Sequence, residues 1–257
     1  MSSLGVRSLL ALAREARAGA GETRPLALGG ARELVPLLAK ELRAGGEAGA
    51  VAENGDVEGA AGLVWIGPAD EELLRRAARA RVPIVGVSDG SSLPYVLDSD
   101  LVRLAPGRGL PVEEIARRLA RALGARGVGL AARLPVLRAA VVGQLVESCA
   151  RRNGMIAAAV FVPGADLPIL TLNELRMVMR VALAQGDEMG IGRLPELIGV
   201  LGAGLGSRRL ARGLCGSIPF AGFACQGAVA YAATKAIGET ARVRFGSASG
   251  LSVRPGT

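Results

Sequence analysis

The chain has 257 residues, of which half are hydrophobic and only 3% aromatic, and its formal charge is +8. That length accommodates two domains whose cores are built from Leu, Val, Ile and Ala. It contains no histidine, which excludes Ser-His-Asp and Cys-His catalysis and removes the commonest general base and metal ligand.

Lysine occurs only at Lys40 and Lys235, so the positive charge is almost entirely arginine. The arginines are interspersed with glutamates on helical faces rather than gathered into a basic block, and aromatics are few. A nucleic-acid partner is therefore not expected. Glycine, at 37 residues, is about twice its usual ~7% and marks close backbone approaches or turns. Cys149, Cys215 and Cys225 form neither a CxxC pair nor a zinc pattern, and read as small buried thiols in a reducing compartment. The first residues have no basic start and no long apolar core, so a cytoplasmic chain is expected.

In chain order, residues 4–18 have the spacing of an amphipathic helix. Residues 25–28 form a short apolar strand that meets Gly29 and Gly30. A helix follows with Leu34, Leu37, Leu38 and Leu42 inward, Pro36 being tolerable near its first turn. Residues 43–59 lack periodicity and hold at most a weak strand around 50–52. Residues 63–66 are a buried strand, and Pro68 and Asp70 open a helix with Leu73, Leu74, Ala77 and Ala78 inward. Residues 82–87 are a β-branched strand, 88–94 a loop and 102–104 a last strand. Pro111 starts a helix with Val112, Ile115, Leu119 and Leu123 inward. Strands alternating with helices predict a parallel sheet covered by helices over residues 1–123.

Ligands of such sheets bind beyond the carboxyl ends of the strands. Three loops lie there: Gly29-Gly30, 67–70 and 88–92. A phosphate-cradling P-loop needs GxxxxGK[ST] after the first strand. Here Leu28-Gly29-Gly30-Ala31-Arg32-Glu33 lacks the lysine and the Ser/Thr, and Glu33 adds a repulsive charge. No cofactor is expected; Gly29, Gly30 and Asp89 are the weak candidates for one. The segment Val82-Pro83-Ile84-Val85-Gly86-Val87-Ser88-Asp89, with the later Leu104-Ala105-Pro106-Gly107, resembles the back half of a small GTPase. The resemblance implies a degenerate, nucleotide-free GTPase-like domain, with Asp89 as the relic of a guanine-reading aspartate. A generic small α/β domain is the alternative.

Residues 124–133 contain Gly124, Gly127 and Gly129 and read as a linker. Beyond it the chain reads as all-helical over 134–245. Pro135 opens a helix with Val136, Ala140, Val141, Leu145 and Cys149 on one face, and Asn153-Gly154 is expected to end it. Thr171 and Glu174 have capping-box spacing. Asp166, Asn173, Arg176 and Arg180 are the candidates for holding a partner or an anion, with helix caps and surface ion pairs as the alternative. Gly190 to Gly192 read as a turn, and Pro195 opens a further helix. Pairs of small residues four apart, 199/203, 202/206 and 224/228, predict close helix packing. Residues 246–257 read as a disordered tail.

An uncharged run covers residues 213–234. It has the length of a membrane span, about 20 residues, but Pro219 divides it into two pieces that do not span alone. A buried hairpin, a membrane-surface segment and a true span all remain open readings, and the final helix is expected over 220–245.

The residues Phe161-Val162-Pro163-Gly164-Ala165-Asp166-Leu167-Pro168, the Asn173 helix with Met177, and the segments Ser217-Ile218-Pro219 and Thr234-Lys235-Ala236-Ile237-Gly238 resemble domain-of-unknown-function family 697 over roughly residues 134–245. The resemblance implies a helical module found beside GTPase domains or in bacterial inner-membrane proteins, and it transfers no catalytic residue. The leading expectation is a non-enzymatic bacterial accessory or scaffold protein, cytoplasmic or at the inner face of the membrane, that binds a protein partner or itself. The alternatives are an atypical nucleotide-binding protein and a membrane-remodelling or pore-type protein.

Overall fold

The computed structural model describes residues 23–54, 56–105, 107, 109–159, 167–187 and 222–248. The expected helix over 4–18, the 190–192 turn, the helix from Pro195, the 199/203 and 202/206 pairs and the Pro219 break lie outside them. The N-terminal half is a five-stranded parallel sheet with helices and the C-terminal half is helical, as the sequence predicts. Among the described residues, contacts divide the chain between Gln144 and Leu145. A sheet unit lies before that point and a helical unit after it.

In the sheet unit, β1 (Leu26–Gly30), β2 (Val51–Glu53), β3 (Gly62–Ile66), β4 (Ile84–Ser88) and β5 (Leu101–Arg103) lie in the order β2-β1-β3-β4-β5, every pair parallel. Helix α1 (Leu34–Arg43) carries the crossover from β1 to β2 and α2 (Glu71–Arg79) that from β3 to β4, while α3 (Val112–Leu123) follows the last strand. Side chains alternate along each strand. Ala27, Leu63, Trp65 and Ile84 pack with Leu74 and Ala77 of α2 on one face. Leu26, Leu28, Val64 and Ile66 take the other face, where a Cβ on Gly62 would meet both Leu123 of α3 and Leu26. Asp70 caps α2, its carboxylate accepting the Leu73 N–H at 3.1 Å. Pro36 is the third residue of α1, where its missing N–H breaks no intrahelical bond. The inward stripe of α1 is Val35, Leu38, Ala39 and Leu42, not the leucines alone, and Leu37 is 54% exposed. The i, i+3, i+4, i+7 spacing is completed only by the smaller Val35 and Ala39.

Residues 124–133 are not a linker. A 3-10 turn, Gly124–Arg126, leads into α4 (Gly127–Arg133), whose Gly127, Val128, Gly129, Leu130 and Ala131 are buried. Only Gly124 acts as a break, at φ +55°. Gly127 instead lets neighbours close in, since a Cβ there would meet Leu123 at 3.3 Å and Val141 at 3.4 Å.

Helix α5 (Pro135–Ala159) runs straight through Asn153-Gly154, the expected break. Of the face predicted for it, Val141 and Leu145 are buried, whereas Val136, Ala140 and Cys149 are half-buried. The helical unit contains the end of α5, α6 (Leu167–Ala184) and α7 (Gly222–Ala248). Thr171 and Glu174 lie inside α6, so they form no capping box. Residues 246–248 of the predicted tail belong to α7, and 249–257 lie outside the described residues. Close packing uses other positions than the predicted 224/228 pair, of which Ala228 is exposed. A Cβ on Gly227 would sit 2.9 Å from the Gly154 carbonyl oxygen, and one on Gly238 would sit 2.5 Å from Val146. Gly154 is thus a crossing point of α5 with α7, where the missing side chain lets two backbones touch. Cys225 is disulfide-bonded, its partner lying outside the described residues, which corrects the reading of all the cysteines as thiols. Among the described residues no helix is long and apolar enough to cross a membrane. Residues 222–234 of the uncharged run belong to α7, and 213–221 lie outside the described residues.

Candidate functional site

The strand order reverses at β1, so the crevice where an open α/β sheet takes its ligand lies between the carboxyl ends of β1 and β3. That crevice is closed. The Ala31 N–H donates to the Ile66 carbonyl at 2.7 Å, and Leu34 and Val35 N–H groups turn back onto the Ala31 carbonyl. Gly30 has φ +122°, and a Cβ there would lie 2.0 Å from the Ile66 carbonyl oxygen. Gly67, at φ +100°, has no room beyond 3.0 Å from the Ala31 methyl. Gly29 lies under the Trp65 ring, whose Nε1–H donates to the Pro68 carbonyl at 2.8 Å. Gly29 and Gly30 are therefore closing positions, with little amide left over for phosphates.

Asp89 is engaged within its own loop. Its carboxylate accepts the Ser91 hydroxyl at 3.0 Å and the Ser91 N–H at 3.4 Å. These bonds hold it below the usual carboxylate range.

A groove of about 500 Å³ separates α3 from the first half of α5, floored by Ala116, Val136, Ala139 and Ala140. The arginines along it are committed. Arg117 and Arg118 pair with Glu114, while Arg121 pairs with Asp100 and, like Arg118, donates to the Ser99 carbonyl.

The helical unit places the sequence candidates differently. Asp166 lies outside the described residues. Asn173, Arg176 and Arg180 do come together, on one side of a cavity of about 160 Å³ between α5 and α6. Arg152, Ser148 and Cys149 complete it from α5. Arg176 and Arg180 are one turn apart on α6, and Arg152 faces them. Cys149 carries a thiol that donates to the Asn173 carbonyl at 3.6 Å. Among the described residues no carboxylate lines the cavity.

Asn173 directs its side chain away from that cavity into a buried relay. Its Nδ2–H donates to Asn153 Oδ1 at 2.9 Å, Asn153 Nδ2–H donates to Thr234 Oγ1 at 3.0 Å, and the Thr234 hydroxyl donates to Glu174 Oε1 at 2.7 Å. All four residues are under 9% exposed. The sequence reading missed Asn153, Glu174 and Thr234 as a group. A signal existed: Asn153 falls on the stripe of Val146, Ala150 and Ala157, and Thr234 on that of Ala230, Ile237 and Ala241. A polar residue on an apolar stripe needs a buried partner.

Nearer the surface, Glu147 accepts from Lys235 Nζ at 3.1 Å, Arg151 Nε at 2.7 Å and the Tyr231 hydroxyl. Lys235, then Arg151, then Tyr231 pull its carboxyl from 4.5 to about 2 against partial burial, and Glu147 raises Lys235 in return. A depressed carboxyl contributes its stability fully above about pH 4.5 and loses it as pH falls toward about 2. The cluster faces solvent, so the contribution is about 1 kcal/mol or less. Glu147→Gln is expected to change the neutral-pH melting midpoint little and to flatten the acid limb below pH 4.5, measured by circular dichroism. An acid limb identical to that of the natural chain would refute this assignment.

The fold thus defines a doubly wound α/β unit followed by a helical unit whose apolar core encloses a polar relay. No family model, no curated protein and no solved structure matches the chain.

Proposed function

We propose that the protein is a non-enzymatic bacterial accessory or scaffold protein whose α/β unit serves as a platform rather than a nucleotide site. The observation carrying this reading is the closed carboxyl edge, where the Ala31 amide is spent on Ile66 and Gly30 packs against the Ile66 backbone. A phosphate-binding turn needs amides aimed at the ligand and a lysine to reach it; residues 28–33 contain no lysine, and the Ala31 amide is turned onto Ile66 instead. The resemblance to domain-of-unknown-function family 697 supports the same reading, since it associates the helical unit with GTPase-like modules and with membranes. Recognition of a partner then falls to the helices.

Calorimetry of the full chain with GTP and with ATP, each with magnesium, is expected to give no saturable binding at micromolar concentration. Micromolar binding that is lost in Asp89→Ala would overturn the proposal in favour of an atypical nucleotide-binding protein.

A further inference from the structure

We propose that the groove between α3 and the first half of α5 is a self-association surface, covered by the same groove of a second copy of the chain. Residues 135–144 of α5 carry one charge, Arg138, and its guanidinium is turned onto the Ala131 and Ala132 carbonyls at 3.2 and 3.0 Å. One side of this stretch, Leu137, Val141 and Val142, is fully buried. The other side, Val136, Ala139, Ala140 and Gly143, lines the groove, and Ala139 and Gly143 are exposed there. A helix that is apolar all round belongs inside a core or an interface. Side chains this small also let a second helix approach to the near end of the usual interaxial range of about 8–10 Å.

The charges of α3 select the occupant. The helix opens with Glu113 and Glu114 and continues with Arg117, Arg118 and Arg121, all of them beside the groove. That polarity is self-complementary. A two-fold axis across the groove sets α3 antiparallel to its copy, so the acidic end of each lies against the basic end of the other, and each contact occurs twice. The same axis lays the uncharged side of α5 against itself. Glu113 is exposed and the Arg117 side chain is 61% exposed, so both can reach across. Arg117 and Arg118 already balance Glu114, and Arg121 balances Asp100, which suits a broad matching surface better than a small anion. An unrelated partner would have to bring an apolar strip, an acidic end and a basic end in this order; a second copy has them. The dimer gives the platform reading its partner and rests on that reading for its purpose alone. Nucleotide binding would remove the reading and leave the dimer, whereas a monomer would remove the dimer and leave the reading.

Sedimentation equilibrium of the full chain, of 26.1 kDa, is expected to show two copies associating with a dissociation constant of about 10 μM or tighter. Ala139→Arg places an unpaired charge in the seam and should weaken association at least about tenfold. Leu37→Arg, at an equally exposed apolar position on α1, should leave it unchanged. Ala139 is exposed, so its variant should keep the natural circular dichroism melt. In the unmodified chain, raising salt from about 0.1 M to about 1 M cuts the Debye length from about 10 to about 3 Å and should weaken the dimer, a readout that needs no variant. The proposal is overturned by a chain that stays monomeric at about 100 μM, which would leave the groove to the helix of a different protein. It is equally overturned by an assembly that Ala139→Arg leaves intact, or by one that salt strengthens, since like charges would then face each other.

Discussion

Gly30→Ala is expected to unfold the sheet unit. The added methyl would lie 2.0 Å from the Ile66 carbonyl oxygen, 2.7 Å from its carbon and 2.8 Å from its nitrogen, all backbone atoms inside a paired strand. None can yield without breaking the β1–β3 ladder, in which Gly30 opposes Ile66. The φ of +122° adds strain for any residue with a side chain. Together these place the cost at about 4 kcal/mol or more, the range of severe core clashes. Gly29→Ala meets only the edge of the Trp65 ring, at 2.7 Å, and should cost about 1–3 kcal/mol as overpacking does. Gly45→Ala, with nothing within 4 Å and φ +67°, should cost about 1 kcal/mol. Trp65 is the sole tryptophan and is 6% exposed, so its fluorescence during urea unfolding reports this unit. A Gly30→Ala chain with a natural midpoint would mean that the β1–β3 closure described above is wrong.

Thr234→Val is the second large expectation. Valine keeps the shape and removes the hydroxyl that joins Asn153 to Glu174. One amide donor and one carboxyl oxygen then lose a buried bond each, at about 1–3 kcal/mol apiece. A loss of roughly 2–5 kcal/mol in the helical unit is expected, against about 1 kcal/mol or less for Thr234→Ser, which retains the hydroxyl. Urea unfolding followed by circular dichroism distinguishes the two. Equal effects of Val and Ser would show that the site values volume rather than the bonds.

The sheet unit was legible because its signals have single meanings. Residues 63–66 and 82–87 are apolar runs of strand length, the second entering the sheet at Ile84 just after Pro83, and Asp70 is a helix cap with the proper offset. The helical unit was less legible because small residues carry opposite meanings. Gly127 and Gly154 look like chain breakers, yet both sit where neighbouring chains press close. No local rule separates a glycine that ends a helix from one that admits a partner; only the position of the partner does. The capping-box spacing of Thr171 and Glu174 failed for a similar reason. Glu174 answers Thr234, sixty residues away, and such a pairing leaves no local trace. Within the candidate cavity, Arg176 and Arg180 were visible at helical spacing. Arg152 and Cys149 come from another helix and were not.

The relay among Asn173, Asn153, Thr234 and Glu174 has a direction, each group giving its hydrogen to the next. Near it α5 and α7 meet through small residues, Gly154 against Gly227 and Val146 against Gly238, contacts that a slip by one turn would exchange for others of similar size. Such a slip would leave every donor in the relay facing a methyl or a backbone. The four residues therefore act as a key that admits a single alignment of α5, α6 and α7 among near-equivalent apolar ones. Replacing all of them with hydrophobic residues of matching volume would be expected to leave a helical unit that still collapses but no longer settles on one register.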